Sequence, residues 1–360
     1  MDKGYLILED GSVWEGERFG FSSSTHGEVV FTTGMVGYPE SLTDPSYEGQ
    51  IVVATYPLQG NYGVPRKNPK PPFSFESNRI HAQGFIVSSL IETYSHWNAV
   101  ESLDSWLRSE KIPGLFGIDT RTLTIRLREK GVMLGMISNE KNIPKMFPDP
   151  NKENLVKNVS TTTPIMYGAG SQTVIVVDCG VKLGIIAQLV DLGLKVMRVP
   201  WDFDLASHKE RFSWVLLTNG PGDPTMADRT IELVRYCLSR DIPTLGVCLG
   251  NQILALGAGG KTYKLPYGHR SHNQPSLDRL TKKAYMTTQN HGFAVDVASL
   301  SSEWEEWFVN LNDQTNEGIR HKKKLFRSTQ FHPEGRPGPH DTSWVFEEFV
   351  RSVAKKGKTI

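Results

Sequence analysis

The chain has 360 residues, and its 40 basic and 39 acidic side chains leave a net charge of +1. Hydrophobic residues make up 38% and charged residues 22%, a globular composition that excludes wholesale disorder. Because the charge is balanced, no overall field attracts nucleic acid or an anionic membrane, and we expect neither as a partner.

The length predicts two domains at roughly 150 residues each. No apolar stretch approaches the roughly 20 residues that span a bilayer, and the N-terminus lacks the basic segment and apolar core of a secretory signal. The three cysteines, Cys179, Cys237 and Cys248, are odd in number and widely spaced. This usage favours reduced thiols in a cytoplasmic protein over a disulfide framework or a zinc site.

Residues 1–145 have the pattern of an N-terminal mixed α/β domain. Short strands are predicted near residues 5–8, 29–32 and 85–87, and helices over 95–110 and 120–129. In the first helix, the residues expected to face the core are Trp97, Val100, Leu103, Trp106 and Leu107. Residues 146–171 contain several Pro, Thr and Gly residues without sustained periodicity, and they are predicted to be a linker.

Residues 172–360 alternate short apolar runs with helical patterns. The apolar runs lie at 174–177, 195–199, 214–217 and 244–247. This alternation predicts an α/β fold with a mostly parallel sheet and helices on both faces. Later segments at 284–287, 293–297 and 326–331 are predicted to form an antiparallel addition, followed by a helix over about 343–354.

The strongest chemical signal is the GVCLG sequence at 246–250, between an apolar run and a helical pattern. Cys248 takes the position of the nucleophile in a strand–turn–helix elbow, and the flanking glycines permit the sharp turn. At a helix N-terminus the dipole favours the thiolate form. Taken alone, a buried structural cysteine in a tight turn is an equally good interpretation.

A base for Cys248 is offered by the FHPE sequence at 331–334. Pro333 stiffens this loop, and the side chains of His332 and Glu334, two residues apart, point the same way from an extended segment. A carboxylate that holds an imidazole completes a catalytic triad. A His-x-Glu pattern is common by chance, so its weight comes from its occurrence together with the elbow.

Two polar loops are further candidates for the site. NGPGDP at 219–224 follows an apolar strand, and its backbone N–H groups could face a developing oxyanion at the carboxyl edge of the sheet. QNHGF at 289–293 could present amide and backbone donors to a polar substrate. The alternative for 219–224 is an ordinary turn, and the alternative for 289–293 is a structural loop. Neither GxGxxG nor GxxxxGK[ST] follows a strand, which argues against a nucleotide-binding module.

In combination, GVCLGNQ at 246–252, FHPE at 331–334 and the 219–224 loop resemble the triad-type class I glutamine amidotransferases over about residues 172–352. The segments at 27–40, 43–47 and 117–121 look like the small subunit of carbamoyl-phosphate synthetase, which extends the resemblance to the whole chain. GHRSHNQP at 268–275 and NDQTNEG at 312–318 look closest to the eukaryotic glutamine-dependent forms. In those forms the unit is commonly fused to the synthetase.

The resemblance implies roles for individual residues. Cys248 would attack the side-chain amide of L-glutamine, His332 would act first as base and then as acid, and Glu334 would orient His332. The backbone N–H groups of Leu249 and Gly222 would form the oxyanion hole. The residues implied to bind glutamine are Ser46, Gly220, Gly222, Leu249, Gln252, Asn290, Gly292 and Phe293.

The resemblance also implies a partner. Ammonia from glutamine would pass to a synthetase large subunit, or to fused synthetase domains, for carbamoyl phosphate formation in pyrimidine or arginine biosynthesis. No cofactor or metal is expected in this chain, because ATP, Mg²⁺ and bicarbonate would bind to the synthetase.

Two positions depart from the family pattern. Asn251 stands where family members often carry His, and Ser271 where they often carry Gly. Neither is a triad position, so we expect tuning of activity rather than its loss. Two alternatives stay open: an amidotransferase that feeds another synthase, such as those for GMP or anthranilate, and a regulatory or scaffolding module with little turnover.

Overall fold

The computed structural model describes residues 2–71 and 73–356, without the side chain of Lys356. Residue contacts divide the chain into two compact units, unit 1 up to Leu155 and unit 2 from Val156 onward. The division lies inside the segment 146–171 that the sequence predicts to be a linker. This segment also contains regular structure: a 3-10 turn at Pro150–Lys152, a helical turn at Val156–Val159 and a strand at Ile165–Tyr167.

Unit 1 is built around a small β-barrel. Its strands are β1 Lys3–Leu8, β2 Val13–Gly20, β3 Thr25–Thr32, β4 Gln50–Ala54, β5 Val64–Pro65, β6 Gly84–Ile86, β7 Ala99–Glu101, β8 Pro113–Phe116 and β9 Met133–Ser138, and its helices are α1 Tyr38–Thr43, α2 Leu103–Ser109 and α3 Thr120–Lys130. Among the described residues of this unit, seven strands close in the order β1-β2-β8-β6-β4-β3-β9. The pairs β3–β4, β4–β6 and β6–β8 are parallel and the other pairs of the barrel are antiparallel, which gives the mixed architecture.

The helix predicted over residues 95–110 is shorter in the structure. It begins at Leu103, because the Ser102 hydroxyl caps the first turn by accepting a backbone hydrogen bond. The apolar residues after the cap are buried as predicted, whereas Trp97 and Val100 are 88% and 47% exposed. The helical spacing of these two residues was therefore misleading, since Val100 lies in β7 and Trp97 in the turn before it.

Unit 2 contains one large sheet with helices packed against it. Its strands are β10 Ile165–Tyr167, β11 Thr173–Asp178, β12 Lys195–Pro200, β13 Trp214–Leu217, β14 Thr244–Val247, β15 Lys261–Asp278, β16 Ala284–Asp296, β17 Trp304–Asn310, β18 Asn316–His321 and β19 Phe326–Thr329, and its helices are α4 Val156–Val159, α5 Leu183–Asp191, α6 Asp228–Arg240, α7 Leu249–Gly257 and α8 Trp344–Lys356. The described strands follow the order β10-β12-β11-β13-β14-β19-β18-β17-β15-β16.

The centre of this sheet is parallel, as the alternation of strands and helices predicts. Strands β12, β11, β13, β14 and β19 run parallel, and the remaining pairs are antiparallel. Residues 326–331 were predicted to belong to the antiparallel addition, and this was wrong for one of the two neighbours of β19. Strand β19 pairs in parallel with β14, from Thr244↔Phe326 to Val247↔Thr329. Strand pairing depends on distant residues, which the local pattern cannot specify. As a result, β14 and β19 end side by side at the same edge of the sheet.

Buried aliphatic residues hold the helices against the parallel strands. Ile175 and Leu217 from the sheet join Val234 of α6 and Ile253 of α7 in one core. This packing fixes the N-terminus of α7 at the carboxyl edge of the sheet. None of the helices in residues 2–71 and 73–356 has the length and apolarity that a membrane crossing requires.

Candidate active site

Cys248 occupies the sharp turn between β14 and α7. Its backbone has φ +54° and ψ −104°, a conformation that residues other than glycine rarely adopt. The two flanking glycines are required by close packing: a Cβ on Gly250 would lie 2.2 Å from the Leu217 carbonyl oxygen, and one on Gly246 would lie 2.4 Å from the Gly250 oxygen. The elbow therefore places the thiol at the N-terminus of a nine-residue helix, where the helix dipole favours negative charge.

His332 and Glu334 follow the neighbouring strand. His332 Nδ1 lies 2.8 Å from Glu334 Oε1, and both residues are buried. The Cys248 backbone N–H donates to the Thr329 carbonyl at 2.8 Å, so the two strand ends are directly linked. Parallel pairing of β14 and β19 thus brings together two motifs that are 84 residues apart in the chain.

A third charged residue completes this buried group. Lys182 Nζ lies 2.9 Å from Glu334 Oε1, and the Lys182 side chain is only 4% exposed. The same ammonium donates to the Arg336 carbonyl at 3.0 Å. Glu334 Oε1 therefore accepts both from the Lys182 ammonium and from the imidazole, which ties the carboxylate to two donors through one oxygen.

These contacts shift the pKa values of the group in opposite directions. Burial disfavours the charged imidazolium, but the Glu334 carboxylate and Cys248 outweigh burial and Lys182, and they raise the pKa of His332 to about 10. Burial would raise the pKa of Glu334, but Lys182 and His332 reverse this effect and hold it well below its usual range. The result is an ionised carboxylate beside a strongly basic imidazole.

The thiol lies among polar groups from two other segments, β16 and the residues after β19. Cys248 Sγ is 3.6 Å from the Asn290 carbonyl oxygen and 3.7 Å from Gln330 Nε2. Gln330 Oε1 in turn accepts from Asn251 Nδ2 at 3.0 Å and from Gln252 Nε2 at 3.1 Å. Cys248 is one of the groups that raise the pKa of His332, which pairs the thiol with the imidazole. His332 Nε2 is buried and makes no other hydrogen bond within the described residues, so it is available to exchange a proton at the thiol.

The structure brings most of the predicted substrate residues of unit 2 around this thiol. Leu249 is the first residue of α7, where its N–H has no partner within the helix. Gly220 packs against Leu249, because a Cβ at Gly220 would lie 2.8 Å from Leu249 Cδ2. Gln252 Nε2 donates to the Phe293 carbonyl at 2.9 Å. The remaining predicted positions in this unit are Gly222, which has φ +81°, and Asn290 and Gly292 in β16.

Ser46 belongs to unit 1. It lies in a 3-10 turn at Pro45–Tyr47, and its backbone N–H donates to Asp44 Oδ1 at 2.9 Å. Its side chain is largely buried, with a relative exposure of 6%. A role of Ser46 in glutamine binding stays a prediction from the resemblance.

The two departures from the family pattern have different surroundings. Asn251 is fully buried, donates to Gln330 and accepts from the Ser328 hydroxyl at 2.7 Å, so it is part of the polar network behind Cys248. Ser271 is also buried, but its hydroxyl finds no hydrogen-bond partner within the described residues.

Sequence reasoning did not select Lys182 or Gln330. Lys182 precedes α5 and follows β11, so its position at the carboxyl edge of a parallel strand was a signal that could have identified it. Gln330 lies two residues before His332, next to the recognised motif. Burial raises the pKa of Cys179 and of Cys237 to about 12.

Comparison with known proteins agrees with this geometry. Residues 6–137 match the family described as carbamoyl-phosphate synthase small chain, CPSase domain, and residues 175–352 match glutamine amidotransferase class-I. The carbamoyl phosphate synthase small chain of Pyrococcus furiosus is 46% identical over 97% of this chain and 97% of its own length. The arginine-specific small chain of Neurospora crassa is also 46% identical, over 97% of this chain and 79% of its own length.

The archaeal and the fungal relative are equally similar, so these identities do not favour the eukaryotic forms over others. A solved structure of a glutamine amidotransferase from Thermotoga maritima aligns with 52% of this chain and 86% of its own, at 20% identity and a TM-score of 0.39. The family matches cover both units, and the small-chain relatives extend over nearly the whole sequence. The chain therefore belongs to the carbamoyl-phosphate synthase small chain family, with a class I glutamine amidotransferase domain.

Proposed function

We propose that this protein is the glutamine-hydrolysing component of a carbamoyl-phosphate synthase, with Cys248 as its nucleophile. The observation that carries the proposal is the position of Cys248 on a strained elbow beside the buried His332–Glu334 pair. A thiol needs an adjacent base and an oriented third group to act as a nucleophile, and this arrangement supplies both.

The first half-reaction forms a thioester. An imidazole as basic as His332 can hold the thiol proton, which leaves Cys248 as a thiolate. The sulfur attacks the amide carbon of the glutamine side chain, and the negative charge moves to the carbonyl oxygen. We assign the stabilisation of this oxyanion to the N–H groups of Leu249 and Gly222. The imidazolium then protonates the amide nitrogen, the C–N bond breaks and ammonia leaves.

The second half-reaction regenerates the thiolate. Water attacks the thioester carbon while His332 takes one of its protons, and the C–S bond breaks to release glutamate. Throughout both steps Glu334 holds the ring through Nδ1, so that Nε2 stays directed at the reacting atoms. We assign Lys182 the role of holding Glu334 in place, because its ammonium binds the same carboxylate oxygen.

The substrate would be bound by Ser46, Gly220, Gln252, Asn290, Gly292 and Phe293, together with the oxyanion-hole residues. Support for the part in unit 2 comes from the contact of the Asn290 carbonyl with Cys248 Sγ and from the Gln252 hydrogen bond to Phe293. The mechanism requires no cofactor or metal in this chain. We expect ATP, Mg²⁺ and bicarbonate to bind to a synthetase large subunit or to fused synthetase domains.

The ammonia released here would be consumed by that synthetase partner in forming carbamoyl phosphate. Relatives that carry the name arginine-specific small chain support a place in arginine biosynthesis, and pyrimidine biosynthesis uses the same product. In this assignment the chain is the hydrolase component of a glutamine-dependent ligase.

The test is intact-protein mass spectrometry after brief treatment with a glutamine-like chloroketone. We expect one adduct on the wild-type protein, suppressed by excess glutamine and absent in Cys248→Ala. Cys237→Ala is the matched control, because that thiol is buried and its high pKa keeps it protonated, and it should label like wild type. An adduct that glutamine does not suppress, or the lack of any adduct, would reject an autonomous glutamine site and favour the scaffolding alternative.

A kinetic measurement gives an independent check. Cys248→Ser should lose glutaminase activity by several orders of magnitude, because the loss of one triad member costs about as much as the loss of all three. Normal hydrolysis by this variant would exclude the thioester mechanism.

A further inference from the structure

Two sequence motifs that the mechanism does not use meet inside unit 2. GHRSHNQP at 268–275 lies in β15, and NDQTNEG at 312–318 connects β17 to β18. His269 of the first motif lies between two carboxylates of the second. Its Nε2 is 2.8 Å from Asp313 Oδ2, and its Nδ1 is 3.5 Å from Glu317 Oε1. Both His269 and Glu317 are buried.

The surroundings of His269 favour its charged form. Nε2 faces a carboxylate oxygen that can only accept, so this nitrogen carries a proton toward Asp313. Nδ1 lies 3.5 Å from Glu317 Oε1 and also 3.5 Å from Asn310 Nδ2. Burial opposes this charge, but the hydrogen bonds to Asp313 and Glu317 outweigh it and raise the pKa of His269 to about 9. Asp313 is the stronger partner: despite burial, His269 and Thr315 hold its pKa well below its usual range, whereas burial raises the pKa of Glu317.

His269 contacts a second histidine on the adjacent strand. The ring centroids of His269 and His291 are 4.9 Å apart, in an edge-to-face arrangement. His291 Nδ1 lies 2.8 Å from the Phe293 carbonyl oxygen, which can only accept, so this nitrogen carries a proton. His291 Nε2 lies 3.2 Å from the side-chain amide of Gln289. Burial and the neighbouring His269 cation lower the pKa of His291 well below its usual range, so its ring is neutral.

Through these contacts His291 holds the part of β16 that lies beside the thiol. The Phe293 carbonyl accepts from His291 on one side and from Gln252 Nε2 on the other, at 2.8 and 2.9 Å. The residue before His291 is Asn290, whose carbonyl contacts Cys248 Sγ at 3.6 Å. A rotated or doubly protonated His291 would therefore change the shape of residues 290–293.

We propose that His269, held by Asp313 and Glu317, is a positioning residue that fixes the His291 ring and thereby shapes residues 290–293 of β16 for glutamine. The proposal rests on the proposed function, which places these residues against the substrate. Among the described residues, the charged and ring contacts of His269 are to Asp313, Glu317 and His291 and not to the triad, so its effect is on substrate binding and not on the reactivity of Cys248.

The substitution Asp313→Asn removes the charge that holds His269 but keeps the size of the side chain. Its amide oxygen can still accept from Thr315, as Asp313 Oδ1 does at 3.1 Å, so the turn is preserved. Cys248 is labelled with iodoacetamide, and the glutamine concentration that gives half protection is measured. We expect this concentration to rise about tenfold, the effect of one charge-assisted hydrogen bond, with little change in the labelling rate without glutamine.

Two further variants separate positioning from a general loss of structure. His269→Gln should raise the half-protecting glutamine concentration in the same way. Combining it with Asp313→Asn should raise this concentration no further than the more severe single substitution does, because both substitutions break the same contact between His269 and Asp313. Asp296→Asn is the matched control: Asp296 makes the same kind of turn hydrogen bond, to Ala298 N at 3.1 Å, at the end of β16. It should leave the protection unchanged, and a urea midpoint is measured for each variant.

Several results would overturn the proposal. These are wild-type protection in Asp313→Asn, or weakened protection that only follows a lower urea midpoint. Metal content is also measured, because ligand atoms of His269, His291 and Glu317 lie within 4.8 Å of one another. One equivalent of zinc bound to the wild type and absent from His269→Gln would show that a metal ion, and not the inferred protons, holds these side chains together. If glutamine fails to protect the wild type, the proposed function fails and this inference fails with it.

Discussion

Charge balance among Lys182, Glu334 and His332 gives a prediction that can be worked out from the distances. At 2.9 Å and an effective dielectric constant of about 20, the attraction between Lys182 and Glu334 is about 6 kcal/mol, before the cost of removing both groups from water. Glu334→Gln removes the negative charge that the buried Lys182 ammonium contacts at 2.9 Å. We expect the free energy of unfolding of unit 2 to fall by about 3 to 5 kcal/mol.

The double variant Glu334→Gln with Lys182→Met removes both charges and restores the balance. It should therefore be more stable than Glu334→Gln alone, even though it carries one more substitution. Glutaminase activity should stay low in both proteins, because His332 has lost the carboxylate that orients it. Stability and activity would thus respond differently to the second substitution.

The measurement is hydrogen exchange of peptides from unit 2, which reports this unit separately from unit 1. Glu348→Gln serves as the control, because it breaks the Arg327–Glu348 pair at 2.7 Å, where Glu348 is 44% exposed. A surface pair of this kind should change stability by less than about 1 kcal/mol. The reasoning is refuted if the double variant is no more stable than Glu334→Gln alone, or if Glu334→Gln costs no more than the control.

Three other predictions follow from single contacts. Gly250→Ala should reduce stability by about 3 kcal/mol or more in a denaturant titration, because a Cβ there would lie 2.2 Å from a backbone oxygen, and a wild-type midpoint would contradict the close approach. Gln330→Leu should cost about 1 to 3 kcal/mol in thermal unfolding, because it leaves the buried Asn251 amide without its acceptor; an unchanged melting temperature would mean that the amide finds another partner. Because the folded pKa of His269 is raised to about 9, its stabilisation is complete below about pH 6.5 and is lost as pH rises through about 9. Asp313→Asn should flatten this loss in unfolding measured between pH 6 and 10, by up to about 3 kcal/mol, and an unaltered pH profile would exclude the paired imidazolium.

The local chemistry of this protein could be predicted from the sequence. The apolar runs and their alternation with helices predicted the parallel sheet of unit 2, and GVCLG predicted an elbow with the thiol at a helix N-terminus. The spacing of His332 and Glu334 predicted their mutual contact, which the structure has at 2.8 Å. These features depend on residues within a few positions of one another, so the pattern along the chain contains the necessary information.

Tertiary structure alone decided which distant segments meet. Local patterns misassigned the parallel partner of β19, extended a helix over the exposed Trp97 and did not pair Lys182 with Glu334. The same is true of His269, whose two carboxylates come from the turn before β18 and from β18 itself, more than 40 residues away. Pairing register and burial are set by the whole sheet and core, and they alone bring these charges within hydrogen-bond distance and shift their pKa values.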